Sequence, residues 1–172
     1  MRRPSVLSAA IVLGVGLGGF VDGIVLHQLL QWHHLLTDHG DYPSDTVRGL
    51  EVNTLWDGLF HALTWVAVVA GVVLLWLALR EGSTRPSART LIGGAAIGWG
   101  MFNLVEGIID HHLLTLHHVR DDVADPLPWD LGFLALGAVL VVAGVALVRA
   151  DRHAVVERQD RELVRARPGS SP

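Results

Sequence analysis

The sequence predicts an all-α fold: a polytopic membrane four-helix bundle built from a duplicated two-helix hairpin, with a pseudo-twofold axis along the membrane normal. Three observations carry this. The first is composition. Of 172 residues 51% are hydrophobic and the mean hydropathy is +0.42, with Leu, Val, Ala and Gly supplying most of the apolar mass, as suits helices packed in lipid. The second is a set of four long apolar segments. The third is a string written twice: Asp22-Gly23-Ile24-Val25-Leu26-His27-Gln28-Leu29-Leu30-Gln31-Trp32-His33-His34 returns 84 positions later as Glu106-Gly107-Ile108-Ile109-Asp110-His111-His112-Leu113-Leu114-Thr115-Leu116-His117-His118.

The chain runs apolar from Ser5 to Gln31, broken only by Asp22 and His27. That run is too long for the apolar region of a signal peptide and reads as a first membrane helix over 5–34, about 42 Å of helix against a ~30 Å hydrocarbon core. Thr37 to Asp45 is a turn-rich acidic loop. A second span covers 54–79, with Asp57 and His61 near its start and nothing ionisable after them. Arg80 to Arg89 is a short basic connection. A third span covers 91–118, Arg120 to Pro128 is a second acidic loop, and a fourth span covers 129–148 with Asp130 at its mouth. Residues 151–172 alternate charges and close on Pro-Gly-Ser-Ser-Pro, which predicts a charged cytoplasmic tail, part helix and part disorder.

Net charge is only −4, yet its distribution is uneven. With both termini and the basic connection on one side, that side holds eleven arginines against Arg48 and Arg120 on the other. This predicts cytoplasmic termini, with both His-His pairs facing outward. Trp32, Trp56 and Trp129 then form an interfacial belt.

The duplication extends to Gly14 and Gly16, answered by Gly98 and Gly100, and to Trp56-Asp57, answered by Trp129-Asp130. Two helices per copy give a parallel repeat. On an α-helical wheel Gly16, Gly23, His27 and His34 share a line, as do Gly100, Gly107, His111 and His118, which predicts a close small-residue seam. Asp22 and His33 share a second line, matched by Glu106, Asp110 and His117. By helical rise, His27 and His111 lie about 10 Å inside the outer end and His61 roughly 8 Å, so three imidazoles reach one level.

Ionisable groups at that depth are costly and are retained where they face a partner or a cavity. Imidazoles and carboxylates converging in a helical bundle are what a transition metal (Zn, Fe, Mn or Cu(II)) requires. The expected ligands are His27, His61 and His111, completed by Asp57, Asp110, His34 or His118. Asp22, Glu106, His33, His112 and His117 then accept imidazole N–H groups or relay protons. Asp110 faces Leu26 in the other copy and His61 faces Leu134, so the expectation is one asymmetric centre. A bis-His haem on His27 and His111 ranks below a non-haem ion. The absence of Cys excludes disulfides, thiolate sites and thiol catalysis, and two methionines speak against a thioether Cu(I) path.

Plainer accounts stand beside these. The His-His pairs can cap helices at the interface, His39 and His153 read as solvated, and Asp57 and Asp130 can stabilise helix N-termini. Asp22 and Glu106 can pair with Asn103, Thr64 or each other and only specify the fold. Three functions therefore remain open: a metal-centred redox or metal-handling protein, a proton- or ion-conducting protein using Asp22, Glu106 and the histidines as a relay, or a structural or assembly subunit with a buried polar network. Expected partners are the lipid bilayer and a second copy or another membrane-complex subunit, with no nucleic acid.

The strings Gly-Gly-Phe-Val-Asp-Gly-Ile-Val-Leu-His-Gln-Leu-Leu-Gln-Trp-His-His, Asn-Thr-Leu-Trp-Asp-Gly-Leu-Phe-His, Asn-Leu-Val-Glu-Gly-Ile-Ile-Asp-His-His and Trp-Asp-Leu-Gly-Phe resemble those of a family of small bacterial membrane proteins, domain of unknown function 2243. The resemblance covers about residues 10 to 148. It implies a four-span protein of the bacterial inner membrane and brings no activity with it.

Overall fold

In a computed structural model, described over residues 4–38, 40–81 and 87–166, the chain is all helix and loop. His39, residues 82–86 of the basic connection and the Pro-Gly-Ser-Ser-Pro end of the tail fall outside these residues. Helix α1 spans Val6–Val21, α2 Val47–Glu81, α3 Ala88–Glu106 and α4 Leu127–Ala166. Helix α1 continues into a π-helical segment, Asp22–Leu29, and α3 into another, Gly107–Leu113. Four stretches are long and apolar enough to cross a membrane: Val6–Leu29, Val47–Arg80, Ala88–Leu113 and Leu127–Leu163.

Local chemistry sets the ends. Ser5 and Ser8 form a reciprocal capping box at the start of α1. Thr46 Oγ1 accepts the Gly49 N–H at 3.0 Å and starts α2 well ahead of the apolar run that begins near Thr54. Ser87 caps α3. Helix α4 is 40 residues long, about 60 Å, so it carries its charged C-terminal turns beyond any bilayer core. Thr90 Oγ1 donates to Asp151 Oδ2 at 2.7 Å and ties the start of α3 to that extension.

Helices α1 and α3 lie side by side at the centre, α2 packs on α1, and α4 packs on α3. Among the described residues α2 and α4 do not meet, so the four helices form an open row and not a closed ring. The central seam is made by backbone contact. A Cβ on Gly14 would overlap the Ala95 carbonyl, and one on Gly98 would overlap the Ile11 carbonyl, so only hydrogen fits at either place. The flanking helices present Leu63, Val66 and Trp76 of α2 and Val139 and Val142 of α4 outward, as a lipid-facing surface does.

Among the described residues, the largest fully buried side chains are His27, His33, His111, His117, Asn53, Asn103, Asp57 and Asp130. None is hydrophobic. The apolar face looks outward, and the interior at the loop end of the molecule is organised around polar groups.

Candidate metal centre

The two π-helical segments place the first donors. Their i→i+5 hydrogen bonding brings residues five apart one above the other, whereas an α-helix sets them on different faces. Asp22 and His27 are five apart, and His27 Nε2 lies 3.0 Å from Asp22 Oδ2. A 3.6-residue wheel assigns these two side chains to separate lines; the wider turn reunites them.

Each π segment then stops sharply. Leu30 N–H donates to Val25 O at 2.8 Å and Trp32 N–H to Leu26 O at 3.0 Å, with Gln31 between them at φ 49°. After the second π segment Leu114 N–H donates to Ile109 O and Leu116 N–H to Asp110 O, with Thr115 at φ 46°. The reversal turns the following chain back over the helix end. His33, His34, His117 and His118 are therefore not on helices, and a depth assigned to them by helical rise does not apply. His33 and His117 come level with His27.

Four imidazoles form a file. His27 meets His33 edge to face, with ring centres 4.4 Å apart and planes at 71°. His33 stacks on His117 at 4.4 Å and 6°. His117 meets His111 at 4.9 Å and 72°. The carboxylates of Asp22 and Glu106 join the file: Asp22, His27 and Glu106 offer donor atoms within 4.8 Å of one another, as do Glu106, His111 and His117, and His27, His33 and His117.

The far nitrogens are held from outside. His33 Nδ1 donates to Val119 O at 2.9 Å, and His117 Nδ1 to Leu35 O at 3.1 Å. His27 Nδ1 donates to Asp57 Oδ1 at 3.0 Å. Burial, with the neighbouring His117, keeps His33 well below the usual imidazole range, and burial pushes His117 down to about 4 against the pull of Asp22. Both are neutral at pH 7 with the proton on Nδ1, so each Nε2 carries a free lone pair. Among the described residues the buried Nε2 atoms of His27, His33, His111 and His117 have no hydrogen-bond partner, and neither have both Glu106 oxygens and Asp22 Oδ2. His27 Nε2 and Asp22 Oδ2 approach as an ion pair at 3.0 Å.

Asp57 and Asp130 anchor the loops. Asp57 accepts from His34 Nδ1 at 2.7 Å and Leu35 N–H at 2.9 Å; Asp130 accepts from His118 Nδ1 at 2.6 Å and Val119 N–H at 2.9 Å. Asp130 also lies 3.6 Å from His111 Nδ1. Asp57 sits well inside α2 and not at its start. Asn53 was not singled out by sequence; its buried amide accepts from Leu36 N–H and donates to Tyr42 O and Gly49 O, which fixes the first loop. Arg120 lies over the rings of Trp32 and Trp129, 5.0 and 4.9 Å from their centres, and pairs with Asp122.

The remaining expected residues lie apart from the file. His61 Nδ1 donates to the Asp57 carbonyl at 2.7 Å, and its Nε2 faces Gly23 and Phe60. Asp110 lines a cavity of about 260 Å³ with Phe60, Met101, Phe102, Val105 and Glu106. His34 and His118 serve Asp57 and Asp130 at the rim, and His112 is exposed. A second cavity, about 290 Å³, opens between α1 and α4 beside Asp22, walled by Trp99, Trp129 and Phe133, with Asn103, whose Oδ1 has no hydrogen-bond partner among the described residues, on its wall. A third, polar one of about 420 Å³ lies over His33 and His34 beneath Asp121 and Asp122.

Residues 9–151 match the family model of domain of unknown function 2243, described as a predicted membrane protein. The chain belongs to this family. The part that matches domain of unknown function 2243 contains both π segments, both loops and every donor described above. No curated protein and no solved structure matches the chain.

Proposed function

We propose that this is a metal-centred protein of the bacterial inner membrane, with a His/carboxylate centre in the outer half of the bilayer that performs redox chemistry or handles the ion itself. One observation carries this: four buried imidazole Nε2 atoms converge without hydrogen-bond partners while the opposite nitrogens of His27, His33 and His117 are held by a carboxylate or a carbonyl. That is how proteins hold metal-ligating histidines, by fixing the tautomer from outside. Left unmet, each such group costs about 1–3 kcal/mol. The donors are nitrogen and oxygen only, which suits Fe, Mn, Zn or Cu(II). Haem fits poorly, because the stacked rings of His33 and His117 fill the space between His27 and His111 where a porphyrin would lie.

The conducting reading lacks a path. Neither Val6–Val21 nor residues 91–105 hold an ionisable side chain, and the backbones of α1 and α3 touch there. A purely structural network would satisfy its own members, and this one does not.

The centre is also read as the product of a duplicated hairpin about a pseudo-twofold axis. Supporting this are the π segments, the positive-φ residues Gln31 and Thr115, and the reciprocal bonds of His33 to Val119 and His117 to Leu35, all 84 or 85 positions apart. Cytoplasmic termini follow from the arginine distribution.

Elemental analysis of protein purified in detergent without chelator, beside His27→Ala/His117→Ala, tests the reading. The expected result is stoichiometric transition metal in the native protein and its loss in the folded variant. Native protein that stays metal-free after reconstitution with Fe(II), Mn(II), Zn(II) and Cu(II) overturns it.

A further inference from the structure

We infer that the centre holds two metal ions, one among Asp22, His27 and Glu106 and the other among Glu106, His111 and His117. This rests on the metal-centred reading and goes beyond it, and it departs from the single asymmetric centre that the sequence suggests.

The ring planes decide the division. An imidazole lone pair lies in the plane of its ring, so two rings stacked face to face direct their lone pairs along separate, parallel planes. His33 and His117 are such a pair, 4.4 Å apart and 6° from parallel. By distance alone His27, His33 and His117 could share an ion; the stacking keeps His33 and His117 from doing so. His111 and His117, in one proposed set, instead cross at 72°, an angle that lets two lone pairs meet at one point.

Each ion then has imidazole and carboxylate donors with coordination positions left open. Glu106 belongs to both sets and is placed to bridge two ions, whose separation in two-metal sites is about 3.5–4 Å.

Charge favours bound cations. Asp22, Asp57, Glu106 and Asp130 are all buried, and among the described residues their ion-pair partners are all histidines. Cations held among them would offset carboxylate charge in a low-dielectric interior.

The test is titration of chelator-stripped protein in detergent with Co(II), following visible absorption and bound cobalt by equilibrium dialysis. Two equivalents per chain are expected. X-ray absorption on the loaded wild-type protein is expected to show metal–metal scattering at about 3.5–4 Å, a readout that does not depend on any variant folding. His117→Ala and His27→Ala are each expected to halve the bound cobalt. Saturation at one equivalent, with no metal–metal scattering, overturns the two-ion assignment and leaves the metal-centred reading standing. No bound cobalt, and none of the other metals, overturns both.

Discussion

The imidazoles of His33 and His117 lie face to face across the molecule, and each donates its Nδ1 proton to a backbone carbonyl of the opposite loop, His33 to Val119 and His117 to Leu35. Each loop thus orients the histidine of the other. Neither loop can move away without breaking one of these two hydrogen bonds.

A division of labour among the histidines follows. His61→Ala is expected to leave the metal content unchanged, because His61 is tied to the Asp57 carbonyl away from the file, while His111→Ala is expected to lose at least half. Elemental analysis of folded variants checks this; metal loss in His61→Ala alone would restore the sequence-derived ligand set.

Asp57 collects His27, His34 and Leu35 N–H on one carboxylate. Asp57→Asn is expected to destabilise the protein by about 1.5–3 kcal/mol, the range for hydrogen bonds to a charged group. Thermal unfolding in detergent reads it. The loop 30–46 is expected to gain hydrogen exchange before the helices do.

The seam between α1 and α3 tolerates no side chain at Gly98, whose Cβ would meet the Ile11 carbonyl. Gly98→Leu is expected to cost at least about 3 kcal/mol, since the obstruction is backbone and not a movable side chain. Gly58→Leu is the control: nothing lies within 4 Å of a Cβ there, and it is expected to be near neutral. A drop in folded yield for Gly98→Leu alone checks the contrast.

Thr115 holds φ at 46°, a left-handed conformation unfavourable for a β-branched residue. Thr115→Gly is expected to stabilise the fold by about 1 kcal/mol if the reversal is built as described. A lower melting temperature would count against that geometry.

Asp121 has a pKa raised to about 7 by burial and by the neighbouring Asp38. Its unfolded value lies near 3.8, so the native state binds more protons between these pH values and stability falls as pH rises through that window. Asp121→Asn removes the penalty and can still accept the His118 N–H. The variant is expected to melt above wild type at pH 8 and equally at pH 4; a gap that does not change with pH would show that Asp121 is not the titrating group.

Much of this was legible in the sequence. The apolar runs marked four helices long enough to span a membrane, and the repeated acid-Gly-His string marked where buried polar groups gather, because polar residues in such runs are costly unless they meet partners. What escaped was local geometry. A wheel at 3.6 residues per turn cannot show that Asp22 and His27 share a face, since the π turn is set by hydrogen bonding five residues apart. Nor does it show that the chain reverses at Gln31 and Thr115, so a wheel leaves His33 and His117 outside the expected ligand set, as relay residues or interfacial caps. His61 was favoured by depth alone, and its direction, toward the Asp57 carbonyl, depends on rotamer and packing. The spacing of five between acid and histidine was the signal that could have suggested a π turn.

The uncharged, backbone-packed stretch below the donors has an electrical consequence. Moving one charge across a whole membrane involves about 2.3 kcal/mol per 100 mV, and that field drops mainly across the dry, ion-free thickness. The donors sit at one end of this insulator, so an electron or ion reaching them from the adjacent loop side crosses little of the voltage. A metal held there, as proposed, would keep its occupancy and reduction potential steady as the membrane charges and discharges, and track the composition of the facing compartment instead.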